Sequence, residues 1–124
     1  PEALAQEHRA IQSAWTGNID AAARHAERAL ALNPPRAHVW LELSRALALQ
    51  KQWEPAEKFA RAYLEAAPPP PLALRAWMTM ALGKIQQMKG DTAAAKESMQ
   101  RAKQLDPSVW FTMSPPPEAL FEAP

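Results

Sequence analysis

Three histidines, His8, His25 and His38, are the side chains best suited to proton transfer or metal binding near neutral pH, and each falls on a different predicted helix. No His-Glu-x-x-His pair or second ligand at metal-binding spacing accompanies them, so no metal site is expected. Ser13, Ser44, Ser98, Ser108 and Ser114 lack the Gly-x-Ser-x-Gly turn that exposes a nucleophile. Gly17, Gly83 and Gly90 are too scattered to build a phosphate-cradling loop. Glu54 and Glu57 form a carboxylate pair, but they stand in the first turn of a predicted helix, where negative charge complements the backbone dipole. With no cysteine, thiol catalysis, disulfides and thiolate metal sites are all excluded. The chain is therefore expected to be non-enzymatic and to need no cofactor.

The elements that carry these residues follow from composition. Ala and Leu dominate a 48% hydrophobic content, β-branched residues are few and there are only 3 Gly in 124 residues, which favours helix over sheet. An all-α fold in one compact unit is expected. Fourteen Lys and Arg against 13 Asp and Glu leave a formal net charge of +1, without the basic excess that a phosphate backbone attracts, so nucleic acid is not an expected partner. The apolar runs fall far short of the ~20 residues a membrane span requires. The chain opens on Pro1 instead of an initiator Met, as either an excised piece or a processed form would, so any signal peptide or lipid anchor would lie out of view and localisation is not read directly.

A repeat organises the sequence. Ala31 to Pro35, Ala66 to Pro68 and Leu105 to Pro107 are related segments, and Pro34 and Pro68 define a period of 34 residues. At that offset Ala10 falls on Ser44, Ala22 on Ala56, Ala26 on Ala60 and Leu30 on Leu64. A third unit aligns at an offset of 39, with Gly83 on Ser44, Ala95 on Ala56 and Pro107 on Pro68, the extra length being Pro69 to Ala73. Gly17-Asn18 and Gly90-Asp91 each place a residue able to take positive φ before a helix-capping side chain, while the middle unit turns at Lys51-Gln52. Helices are predicted over Ala3–Thr16, Ile19–Leu32, Ala37–Gln50, Trp53–Ala66, Leu72–Lys89 and Thr92–Leu105, antiparallel because the turns are short. Ala10, Ser44 and Gly83 opposite Ala22, Ala56 and Ala95 supply the close crossings. Leu43, Leu47, Leu64, Leu82, Met99 and Leu105 fill the spaces between pairs. Trp40 and Trp53 read as core, and Trp15 as half exposed at its helix end.

The 34-residue period, the series Trp40, Leu43-Ser44, Ala56, Pro68 and the series Leu82-Gly83, Gly90-Asp91, Ala95, Ala102, Pro107 resemble tetratricopeptide repeats over roughly Ala3 to Pro107. Gln6 and Thr79 depart from the pattern at the place of Trp40, as do Ser13 and Gln86 late in the first helices. The resemblance implies an α-α superhelix, a solenoid of three antiparallel helix pairs (residues 3–36, 37–70 and 72–107 within a 1–107 domain), plus a short C-terminal capping segment. It also implies a protein-interaction scaffold whose concave groove, lined by the first helix of each pair, binds a peptide or helix. Carried over position by position, that groove presents Leu4, Glu7, Ile11 and Ala14, then His38, Leu41, Arg45 and Ala48, then Trp77, Met80, Lys84 and Gln87. The branch of the family that clamps chaperone termini needs a Lys one turn before an Asn, and Glu7/Ile11, Leu41/Arg45 and Met80/Lys84 do not match it. The remaining groove has an apolar floor of Leu41, Trp77 and Met80 and the cations Arg45 and Lys84, suiting a ligand with an acidic residue beside an apolar one. The other reading of the same residues is that Trp77 and Met80 pack as core while Arg45 and Lys84 are merely solvated. The Ala-, Arg- and Pro-rich style is similar to small bacterial envelope proteins of this family, a resemblance that implies the periplasm or an outer-membrane attachment, with the cytoplasm as the alternative.

Residues 108–124 depart from the repeat. Val109-Trp110-Phe111, Met113, three prolines at 115–117 and Leu120-Phe121 read either as a cap folded on the last pair or as a segment for self-association.

Overall fold

The computed structural model describes residues 2–108. Over them the backbone forms α1 (Glu2–Trp15), α2 (Ile19–Leu32), α3 (Ala37–Leu49), α4 (Trp53–Leu64), α5 (Leu72–Lys89) and α6 (Thr92–Leu105), with no strand among these residues. The fold is all-α, three helix pairs of an α-α superhelix. α4 ends two residues before the expected Ala66; a residue that precedes proline is pushed out of the helical region, and Pro68 to Pro71 follow closely.

The turns within pairs explain the spacing of the repeat. Gly17 and Gly90 take φ of +84° and +97°, and the residues after them cap the next helix: the Asn18 side chain accepts from the Ala21 N–H at 3.3 Å and Asp91 from the Ala94 N–H at 3.2 Å. The middle turn makes the same reversal without glycine. Lys51 itself takes φ +62°, at a cost of about 1–2 kcal/mol for a side chain with a Cβ, and Gln52 offers no side-chain cap.

Helices within a pair approach through small residues. Ala10, Ser44, Ala22 and Ala56 are all buried. At Gly83 the fit is closest, since a Cβ there would stand 3.0 Å from Met99 Cγ and 3.3 Å from the Ala95 carbonyl oxygen. Between pairs the packing is uneven. α1 rests on α3, whereas α4 rests on α5, so the first junction joins first helices and the second joins a second helix to the next first helix. The Lys58–Glu27 ion pair ties α4 to α2 across the surface.

The core is also uneven. Its largest fully buried side chains, Trp40, Leu43, Leu47, Phe59, Met78, Met80 and Ile85, all belong to α3, α4 and α5. Trp40 and Phe59 stack at 5.5 Å between centroids and 49° between planes, a tilted aromatic pair. The first pair instead buries alanines at Ala3, Ala10, Ala14, Ala21, Ala22, Ala26 and Ala29. Buried area scales with side-chain size at about 25 cal/mol per Å², so the central helices hold most of the hydrophobic stabilisation. Two polar atoms lie in this core without a hydrogen-bond partner, Trp40 Nε1 and Ser44 Oγ.

Candidate functional site

In each first helix one stripe recurs at helical spacings of three, four or seven residues: Leu4, Ile11 and Trp15 on α1; His38, Leu41, Glu42 and Arg45 on α3; Trp77, Lys84 and Met88 on α5. Trp15 meets Glu42 and Arg45, which joins the first two stripes, while α5 packs mainly on α4 and touches α3 only lightly.

At the C-terminal end of α1, α1 and α3 meet through a polar and aromatic cluster. The Trp15 Nε1–H donates to Glu42 Oε1 at 3.1 Å, and Arg45 Nη1 donates to the same oxygen at 3.4 Å. The Arg45 guanidinium lies 5.5 Å from the Trp15 ring centroid, over its face. One carboxylate thus orients both groups, and Trp15 keeps 39% of its surface exposed. Sequence reading placed Trp15 as half exposed but did not connect it to Glu42; the signal lay in the offset between α1 and α3, which no local pattern contains.

The residues assigned to the groove separate into two groups. His38 is exposed, and Ile11, Arg45 and Lys84 are half-buried, so each offers surface to a partner. Among the described residues Lys84 has no ion-pair partner. Leu4 and Met88 add exposed apolar surface at the two ends of the stripe. The apolar floor requires correction. Met80 has no exposed surface, Trp77 retains 5% and Leu41 8%, because α5 is enclosed on nearly every side and Leu41 faces the core cluster. These three support the surface from beneath, in accord with the core alternative. Ala14 and Ala48 are fully buried in the same way. Glu7, also expected in the groove, is buried and bound to Arg36, whose Nη2 donates to Glu7 Oε1 at 3.0 Å and Nε to Oε2 at 3.3 Å. That forked pair ties α1 to the segment before α3 and serves stacking.

A matching tie holds the second junction. The Lys89 ammonium at the end of α5 donates to buried Glu57 at 3.1 Å and reaches Glu54 at 3.5 Å, and Arg61 also bonds Glu57. The bond to Glu57 and its charge raise the Lys89 pKa. The acidic first turn of α4 therefore helps position α5.

The histidines do not converge. His25 Nδ1 stands 2.7 Å from Gln6 Oε1, and Gln6 in turn donates to Glu2 at 2.8 Å, a chain that fastens α2 to α1. Burial first, then the charges of Arg9, Arg28 and Arg24, lower the His25 pKa below 6.5. Among the described residues no three His or carboxylate side chains gather at metal-binding distance, and no helix is long and apolar enough to cross a membrane. The tail assigned to capping or self-association, from Val109 onward, lies outside the described residues.

Comparison with known proteins agrees with the repeat read from the sequence. A family model described as Tetratricopeptide repeat matches residues 16–81, and a second with the same description matches residues 78–109. Neither a curated protein nor a solved structure matches the chain.

Proposed function

Because the chain belongs to the tetratricopeptide repeat family, whose repeats generally mediate protein–protein interaction and whose members are typically non-enzymatic scaffolds, we propose that it is an adaptor. It holds a peptide or helix of another protein along the stripe formed by α1, α3 and α5, and it performs no catalysis of its own.

The observation that carries this reading is the Trp15, Glu42 and Arg45 cluster. An aromatic ring held rigid by a hydrogen bond and covered on one face by a guanidinium loses little conformational freedom when a partner packs on it. His38, Ile11 and Lys84 border the same surface, with Leu41, Trp77 and Met80 holding the helices beneath them at fixed spacing. Arg45 over the Trp15 ring, with Lys84 on the next first helix, suits a segment that places a carboxylate next to an apolar side chain.

The test is co-purification from the native organism, with mass spectrometry of what is retained by the wild-type chain, by Trp15→Ala and by the double variant Arg45→Glu, Lys84→Glu. Partners held by the wild type are expected to be lost from both variants while circular dichroism stays helical. If both variants keep every partner, the stripe is not the binding surface.

A further inference from the structure

On the other side of α5 the second helices stand apart, and the recess between them has a composition of its own. About 330 Å³ in volume, it is lined by Arg61 and Leu64 from α4, Arg75 and Leu82 from α5, and Arg101 and Leu105 from α6. Each helix contributes one arginine to the rim and one leucine to the floor. At 100° per residue, Arg75, Thr79 and Leu82 lie about 160° around α5 from Trp77 and Lys84, so this recess is distinct from the first-helix stripe.

The three arginines are not equivalent. Arg61 is paired with Glu57 at 3.3 Å and Arg101 with Glu97 at 3.6 Å, both at the surface. Arg75 is half-buried, and its Nε–H is fully buried with no hydrogen-bond partner. It also stands at the start of α5, where the helix dipole opposes a cation, and α5 contains no acidic residue to offset it. The Nε–H is closed off within the fold, but the guanidinium as a whole is half-buried at the positive end of a helix with no carboxylate partner among the described residues, so an incoming carboxylate would reach its terminal N–H groups and balance its charge.

We propose that this recess is a second protein-binding site, which takes a short acidic segment of a partner: one Asp or Glu carboxylate on Arg75, with a neighbouring aliphatic side chain on Leu64, Leu82 and Leu105. The volume is at the small end of ligand pockets and admits a few side chains. Glu65 on the rim, with Glu57 and Glu97 beside the outer arginines, repels a continuous run of phosphates, so the complementarity is to an isolated carboxylate beside apolar surface and not to a polyanion.

The experiment uses the full chain to select from a phage-displayed library of random peptides, followed by affinity measurement of the enriched peptides on the wild type, Arg75→Gln, Arg101→Gln and, as a control for the other face, Arg45→Glu. Enriched peptides are expected to carry Asp or Glu within a few residues of Leu, Ile, Val or Met. One class of them should bind about tenfold or more weakly to Arg75→Gln, the scale of a lost charge-assisted pair, less tightly to Arg101→Gln, and unchanged to Arg45→Glu, while peptides held by the first-helix stripe should show the reverse. The Arg75 Nε–Hε resonance of the wild type should shift when such a peptide is added. Absence of enrichment, or an enriched set in which no peptide is sensitive to Arg75→Gln, overturns the proposal. So does binding that responds only to Arg45→Glu, which would leave the first-helix stripe standing alone. A single-stranded oligonucleotide bound in an Arg75-dependent manner, with no peptide enriched, would assign the recess to nucleic acid and reject the peptide.

Discussion

Replacing Ser44 by Ala should stabilise the protein. Ser44 lies in the middle of α3 at the crossing with α4, has no exposed surface, and its Oγ has no hydrogen-bond partner. Burying an unpartnered hydroxyl costs about 1–3 kcal/mol by mutational measures. Alanine also gains roughly 0.5 kcal/mol of helix propensity over serine. Against this stands the packing of one lost atom, below the ~0.8 kcal/mol of a buried methylene. The net expectation is about 1–2 kcal/mol in favour of Ser44→Ala, and each kcal/mol raises Tm by roughly 3–6 °C in a domain of this size. Ser98 provides the matched control. Its hydroxyl donates to Gln86 Oε1 at 2.6 Å, and Gln86 is buried, so Ser98→Ala strands an acceptor and should destabilise by about 1 kcal/mol. Urea titration followed by circular dichroism measures both. The reasoning fails if Ser44→Ala lowers the midpoint, or if the two substitutions move it in the same direction.

Three further outcomes follow from the same geometry. Lys51→Gly removes the strain of a Cβ at φ +62° and should raise stability by about 1 kcal/mol in thermal melts, whereas Gly90→Ala, at φ +97° with open space around it, should lower it by a similar amount. His25 has its pKa lowered in the fold, so below about pH 6.5 the unfolded chain binds the proton more readily; stability should fall as pH drops through that range, and His25→Gln should flatten the decline in urea midpoints between pH 7.5 and 5. Amide hydrogen exchange should be slowest in α3, α4 and α5, where the large side chains are buried, and faster in α1, α2 and α6; equal protection across all six would contradict the uneven core.

Helix positions were legible in the sequence because their signals are local. Gly17-Asn18, Gly90-Asp91 and the proline clusters mark reversals through backbone sterics that act within a few residues. The small residues at Ala10, Ser44 and Gly83 were legible for a related reason, since repetition at a fixed offset exposes a shared packing demand. The site was less so. Trp77 and Met80 occupy the same periodic positions as groove residues, and a 3.6-residue period identifies a face without telling what covers it. Glu7 is removed from the surface by Arg36, a partner far along the chain. The recess of Arg61, Arg75 and Arg101 draws on three helices, and no spacing rule connects residues that meet only because α4 and α6 diverge across α5.

From Ala76 to Gly83 every residue of α5 is buried, which sets this helix apart from the others. Under saturation mutagenesis α1, α2 and α4 would show tolerance that rises and falls with each turn, since their outer faces accept almost any polar residue. α5 would show an unbroken block of intolerance over two turns. Evolutionary change along this chain is thereby channelled to the flanking helices, and new binding preferences can arise there without disturbing the mast on which they hang.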